Sequence, residues 1–237
     1  MTAPRALLIA LRDPHDAMCA HERMCFAERA DLPLENVTVH SMTAGRPTAG
    51  LMRRYDAVFF GGSGAYSVLD DVPWIRDGLD TLEEVASLGL KAYASCFGFQ
   101  GLALALGAEV INDDDLTEMG STLLRLTPDG VDDPVMGVLP SPFWAQEGHH
   151  DHVMTLPDGV DLMAIGDKVR LQGFKVHGVP FYASQFHPEL TVARTVDRFR
   201  HYQEHYIDER AEEVLAELQG GADTPEMGQV LARLARL

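Results

Sequence analysis

The sequence predicts an α/β fold: a mostly parallel central sheet with helices on both faces, extra antiparallel strands in the second half and a C-terminal helical extension. Three observations predict it. Continuous apolar runs alternate with helically spaced segments from Arg5 to Gly107, the pattern of strands buried on both faces and joined by crossover helices. Two of those runs end in a tight turn, at Gly61-Gly62-Ser63-Gly64 and at Cys96-Phe97-Gly98. From Ala108 the rhythm changes to short strand-like pieces, which points to antiparallel or mixed pairing.

Arg5 to Leu11 is almost unbroken apolar and predicts the first strand, with a helix from His15 to Ala30 behind it. Val37 to His40 is the second strand and Tyr55 to Phe60 the third. Trp74, Ile75, Leu79, Leu82 and Val85 have helical spacing, so Trp74 to Leu88 predicts a helix. Lys91 to Cys96 is the fourth strand, and Phe97 to Leu106 the helix after it, stopped by Gly107. Further strands are expected at Ser121 to Leu126, Val153 to Leu156, Leu162 to Ile165, Gln172 to Val176 and Phe181 to Ser184. Turns such as Pro128-Asp129-Gly130 and Pro157-Asp158-Gly159 separate them. Helix returns over Leu190 to Ile207 and again over Asp208 to Leu218, and Thr224-Pro225-Glu226 opens the last one, Met227 to Leu237. We therefore divide the chain into a domain over 1–207 and a helical extension over 208–237.

At 237 residues and 46% hydrophobic side chains the chain can fill a sizeable core. Thirty-six acidic against 19 basic residues give a net charge of −17, which repels a phosphate backbone and an anionic membrane surface alike. Neither nucleic acid nor a membrane is an expected partner. No basic segment precedes a long apolar run, and no apolar stretch approaches the roughly 20 residues that span a bilayer, so a cytoplasmic location is expected. Cys19, Cys25 and Cys96 are an odd number without a CxxC pair, so no disulfide framework or zinc finger is expected. Cys19 and Cys25 read as small core hydrophobes.

Cys96 reads differently. Tyr93-Ala94-Ser95-Cys96-Phe97-Gly98-Phe99-Gln100 presents a thiol between an apolar strand and an apolar helix, whose unpaired N–H groups would favour the thiolate. An ordinary thiol with a pKa of about 8.5 is only a few per cent ionised at neutral pH, so a nucleophilic one needs help. His187, in Gln185-Phe186-His187-Pro188-Glu189, can be the base, and Glu189 can hold the other imidazole nitrogen. An oxyanion formed by attack on an acyl carbon needs two N–H donors. The backbone N–H of Phe97 is one. Gly61-Gly62-Ser63-Gly64 is the natural source of the second, because neighbouring parallel strands end on one rim.

With these motifs in hand, the chain resembles the class I, triad-type glutamine amidotransferases, above all stand-alone domains similar to the glutaminase part of GMP synthetase. The resemblance covers about Arg5 to Ile207, and includes Glu118-Met119-Gly120 and His149-His150-Asp151 followed by Leu156-Pro157. It implies a flavodoxin-like amidotransferase fold and attack by Cys96 on the side-chain amide of glutamine. Ammonia would leave for a separate synthetase or acceptor protein, and water would hydrolyse the γ-glutamyl thioester. It also implies Gly62 and Phe97 as the oxyanion hole, Gln100 and His149 as glutamine-holding residues, and no cofactor. Three positions depart from the family pattern: Ala94 replaces the first elbow glycine, Ser63 a proline, and His150 the glycine of H-G-D.

His149, His150, Asp151 and His152 invite a metal reading, but consecutive extended residues point to alternate sides, and no metal is expected. His201 and His205 have i, i+4 spacing without a third ligand and read as a solvated face. Two other functions stay open: a γ-glutamyl hydrolase or peptidase using the same triad, and a non-catalytic binding module on the same fold.

Overall fold

The computed structural model describes residues 3–202 and 211–237. The predicted boundary at 207/208, His205 and the end of the helix begun at Leu190 lie outside them. The elements follow in the order β1 (Ala6–Ala10), α1 (Met18–Arg29), β2 (Val37–Ser41), α2 (Ala49–Met52), β3 (Ala57–Phe60), α3 (Pro73–Ser87), β4 (Ala92–Ser95) and α4 (Phe97–Ala105). Then come β5 (Val110–Asn112), β6 (Glu118–Leu126), α5 (Pro128–Asp132), β7 (Phe143–His149), β8 (Asp151–Val153), β9 (Val160–Ile165), β10 (Leu171–Val176) and β11 (Phe181–Ser184). The chain closes with α6 (Val192–Tyr202), α7 (Ala211–Gln219) and α8 (Met227–Arg236).

One nine-stranded sheet runs β2-β1-β3-β4-β11-β10-β9-β6-β7, beside a two-stranded β5-β8 pair. The first five strands pair in parallel and the rest antiparallel, as the change of rhythm at Ala108 predicts. The parallel strands β1, β3, β4 and β11 are buried at every position, which is why they read as continuous apolar runs. Two apolar layers flank the sheet. One gathers Leu8, Phe26, Phe59, Tyr93 and Phe186. The other gathers Leu7, Ile9, Phe60, Leu82, Leu102 and Phe181. The last helix belongs to the first layer: Met227, Val230, Leu231 and Leu234 are buried against it.

The register places the site. Ile9 lies beside Phe60, Phe60 beside Ala94, and Ser95 beside Ser184. The segments leaving these four strands, which carry Arg12, Gly61-Gly62, Cys96 and His187, therefore emerge on one rim, where ligands of open α/β sheets bind.

Five elements differ from expectation, among them α2 and β5, which have no counterpart among the elements expected from the sequence. Pro128-Asp129-Gly130 opens a short helix rather than a turn, because Thr127 Oγ1 caps it by accepting the Gly130 N–H at 3.1 Å. The strand expected at Val153 to Leu156 ends at Val153, opposite Val110, where its antiparallel partner β5 begins, and Met154 and Leu156 are exposed. Strand β7 has no counterpart among the strands expected from the sequence, and it lines the site.

Candidate active site

Cys96 sits between β4 and α4 with φ 51° and ψ −106°, a left-handed conformation that costs a non-glycine residue strain and is kept where the surroundings hold it. Its N–H donates to Ser184 O at 2.8 Å, and its carbonyl accepts the Gln100 N–H at 3.0 Å. Helix α4 packs tightly on the strands behind it: a Cβ on Gly98 would lie 3.0 Å from Ala94 Cβ and 3.1 Å from Phe60 Cβ. Ala94 therefore fits at the elbow because Gly98 leaves room for its methyl group.

His187 and Cys96 line one cleft with about 540 Å³ of empty space, mouth included. The backbone N–H of His187 donates to Gln146 O at 2.9 Å. Its Nδ1 is 2.7 Å from Glu189 Oε1, so Nδ1 carries the proton and Nε2 keeps its lone pair. Glu189 is buried, which opposes ionisation, but the charge and hydrogen bond of His187 and the charge of Arg198 outweigh burial and hold its carboxyl at about 2. Arg198 Nη2 lies 3.4 Å from Glu189 Oε1 and Nη1 3.4 Å from His187 Nδ1.

Burial pushes the Cys96 thiol up, and the nearby Glu147 and Glu189 push it further; Arg198 and the Phe97 N–H on the sulfur oppose this. The resting residue is therefore a neutral thiol, not the thiolate that the helix end alone predicts, because one N–H does not offset full desolvation. Iodoacetamide should accordingly alkylate Cys96 at pH 7 at least about tenfold more slowly than a free cysteine. The rate should still be climbing above pH 9, read by peptide mass spectrometry to separate it from Cys19 and Cys25.

The other expected residues fall into two groups. Phe97 opens α4 directly after Cys96, with its N–H on the sulfur. Gly62 lies against the site, since a Cβ there would be 3.2 Å from His187 Cε1 and 3.8 Å from Cys96 Cβ. Its N–H, however, donates to Glu22 Oε1 at 3.1 Å, because a buried carboxylate draws in every donor within reach. Gln100 and His149 stand behind the cleft rather than on its lining. Gln100 Nε2 donates to Asp151 O at 2.9 Å, and His149 bridges Asp151 O at 3.1 Å and Glu118 Oε2 at 3.2 Å.

The histidine-rich run disperses as its extended backbone requires. His150 Nδ1 meets Thr117 Oγ1, His152 Nε2 meets Asp113 O, and the Asp151 carboxylate accepts from Ser67, Val68 and Asn112. Only His149 joins a possible ligand set among the described residues, with Glu118 and Glu147.

Arg12, Glu147, Arg198 and Tyr202 are among the lining residues that escape a reading of the sequence. Arg12 had a signal, being a cation at the end of an apolar strand. Its guanidinium is 2% exposed and fully used. Nε and Nη2 donate to Glu22, Nη1 to Tyr202 Oη and Asp16, and Nη2 also to Gly62 O at 2.8 Å. Gly61 makes room for this, since a Cβ there would lie 2.2 Å from Glu22 Oε1.

Known proteins bear on this geometry. A family model described as glutamine amidotransferase class-I matches residues 35–199. The glutamine-hydrolyzing GMP synthase subunit of Ignicoccus hospitalis is 32% identical over 136 residues, 57% of this chain and 68% of that protein. Its counterpart in Thermoplasma acidophilum is 36% identical over 95 residues, 40% of this chain. That match spans 46% of the relative's length. Among solved structures, a glutamine amidotransferase of Thermotoga maritima has a TM-score of 0.69 over 100% of both chains at 19% identity. One from Methylobacillus flagellatus has a TM-score of 0.71 over 99% of this chain and 95% of its own, at 16% identity. No helix among the described residues is long and apolar enough to cross a membrane. With the family match covering the elbow, the glycine turn and the His187 segment together, the chain belongs to the class-I glutamine amidotransferases.

Proposed function

We propose that the protein hydrolyses the side-chain amide of glutamine through a cysteinyl γ-glutamyl thioester and releases ammonia for a separate acceptor protein. The observation that carries this reading is the pairing of His187 Nδ1 with Glu189 at 2.7 Å, in the cleft that also holds Cys96 on its elbow. It leaves Nε2 of His187 with its lone pair, in the cleft where the Cys96 thiol lies 3.7 Å from Gly148 O.

The steps follow from these groups. Sγ attacks the amide carbon as its proton passes to His187 Nε2, and Glu189 stabilises the imidazolium. The oxyanion accepts the Phe97 N–H, with the Gly62 N–H as second donor once it turns from Glu22. The C–N bond breaks, the imidazolium gives its proton to the departing nitrogen, and ammonia leaves. Water, deprotonated by the same imidazole, then cleaves the thioester to glutamate and free thiol. Delivery of the ammonia to a partner is supported by the naming of relatives as glutamine-hydrolyzing subunits.

The test is a side-by-side assay of glutamine and γ-glutamyl peptides with the purified chain alone. Glutamine turnover that exceeds peptide turnover is the expected result. Peptide hydrolysis at least tenfold faster would make the protein a γ-glutamyl hydrolase instead, and a specific ligand bound with neither substrate cleaved would make it a binding module.

A further inference from the structure

Glu147, on β7, lines the cleft beside Cys96, is 1% exposed, and has no hydrogen-bond partner among the described residues for either carboxyl oxygen. An unpaired buried carboxyl is costly and is not expected in a protein interior without a role. Its neighbours do not relieve it. His149 Nδ1 faces Asp151 O at 3.1 Å, and a carbonyl only accepts, so that nitrogen carries a proton. His149 Nε2 faces Glu118 Oε2 at 3.2 Å, so that nitrogen is already engaged. Gln172 Nε2 also donates to Glu118 Oε2, at 2.7 Å. Glu147 Oε2, 3.6 Å from the same imidazole nitrogen, is left over. Arg12 cannot reach out to it, since its donors are all committed, and the Arg198 Nη2 lies by Glu189 and Glu22 instead, at 3.4 and 3.8 Å.

We propose that Glu147 is a specificity-determining residue, an ammonium-binding subsite that captures a primary ammonium group on the γ-glutamyl substrate. This rests on the amide-hydrolase reading above. An ammonium supplies both missing things, a positive charge and N–H donors in several directions. A substrate without it leaves the carboxyl buried and unpaired, the kind of mismatch by which a site built around a polar contact rejects an analogue by large factors. The ammonium has two sources, the α-amino group of the glutamyl part or a cationic tail on the departing amine.

The test uses a glutamine-mimicking diazoketone, its N-acetyl derivative, and γ-glutamyl amides with cationic or neutral tails. The wild type should be labelled at Cys96 by the free-amine diazoketone at least about 30-fold faster than by the N-acetyl form. Glu147→Gln should lose most of that preference, read as the ratio of the two labelling rates so that a change in Cys96 reactivity common to both reagents cancels, which a merely structural role would not give. If the preference instead lies between cationic and neutral amine tails and vanishes in Glu147→Gln, the ammonium sits on the leaving side. Preferences of neither kind in the wild type, or preferences unchanged in the variant, would overturn the proposal. Should the variant fail to fold, wild-type ratios near one in both comparisons would still overturn the proposal, and Glu147→Asp would supply the variant arm. Stoichiometric, submicromolar binding of added Zn²⁺ by the wild type, lost in Glu147→Gln, would overturn it too, by making the cluster a metal site. Absence of diazoketone labelling under conditions where iodoacetamide modifies Cys96 would instead sink the amide-hydrolase reading itself.

Discussion

Cys96→Ala is expected to lower glutamine hydrolysis by about 10⁴-fold or more, to the level at which only binding and the remaining N–H donors contribute. The size follows from the proposal that Cys96 is the attacking group. Among the described residues the cleft lining holds no second cysteine and a single serine, Ser63, and the imidazole of His187 is aimed by Glu189. The substitution is small, and alanine removes only the sulfur. Cys96 is tied by its backbone N–H and carbonyl to Ser184 and Gln100, so the turn should survive. Ammonia release, a denaturation curve and intact-mass labelling with a glutamine-mimicking diazoketone together check the prediction. Wild-type activity or label retained in the variant would remove Cys96 from the reaction.

Arg12→Met should destabilise the fold by about 3–5 kcal/mol, because it leaves Glu22 buried without its main counter-charge. Glu22 is 0% exposed and Arg12 2%, and their contact is 2.8 Å. Arg198, at 3.8 Å from Glu22 Oε1, is too far to replace it. The loss should show as a lower denaturant midpoint. The double variant Arg12→Met with Glu22→Leu should recover much of the stability, since a buried ion pair contributes little beyond an apolar pair of similar volume. The same double variant frees the Gly62 N–H, which now donates to Glu22. A double variant no more stable than the single one would mean that Arg12 acts through packing rather than charge.

Much of this protein is legible from its residues, for a physical reason. Strands β1, β3, β4 and β11 are buried on both faces and leave continuous apolar runs. The elbow is local, so adjacent residues reveal Cys96 and Phe97, and Glu189 is near enough to His187 in sequence to be paired with it. Strand β7 is hidden because Gln146, Glu147 and His149 are buried polar residues, which erase the apolar alternation by which a strand is recognised. The α5 helix reads as a turn because proline and glycine outweigh the capping threonine before them.

Chain order alone determined the parallel core and singled out Cys96, His187 and Glu189 as the proposed nucleophile, base and orienting acid, because each of these is written in local periodicity or in a compact motif. Protonation and pairing could not be read that way. The thiol is neutral at rest because of how deeply the packed sheet desolvates it. The Gly62 N–H faces Glu22, forty positions away in the chain, and Gln100 and His149 are spent behind the cleft wall. Glu147 stands unpaired on the cleft wall with Cys96 because the β6–β7 pairing sets Glu118 against His149, whose Nε2 faces Glu118 and not Glu147 at hydrogen-bond distance. Burial and long-range hydrogen bonding are properties of the assembled sheet, and they turn a recognisable triad into a cleft with a particular charge and shape.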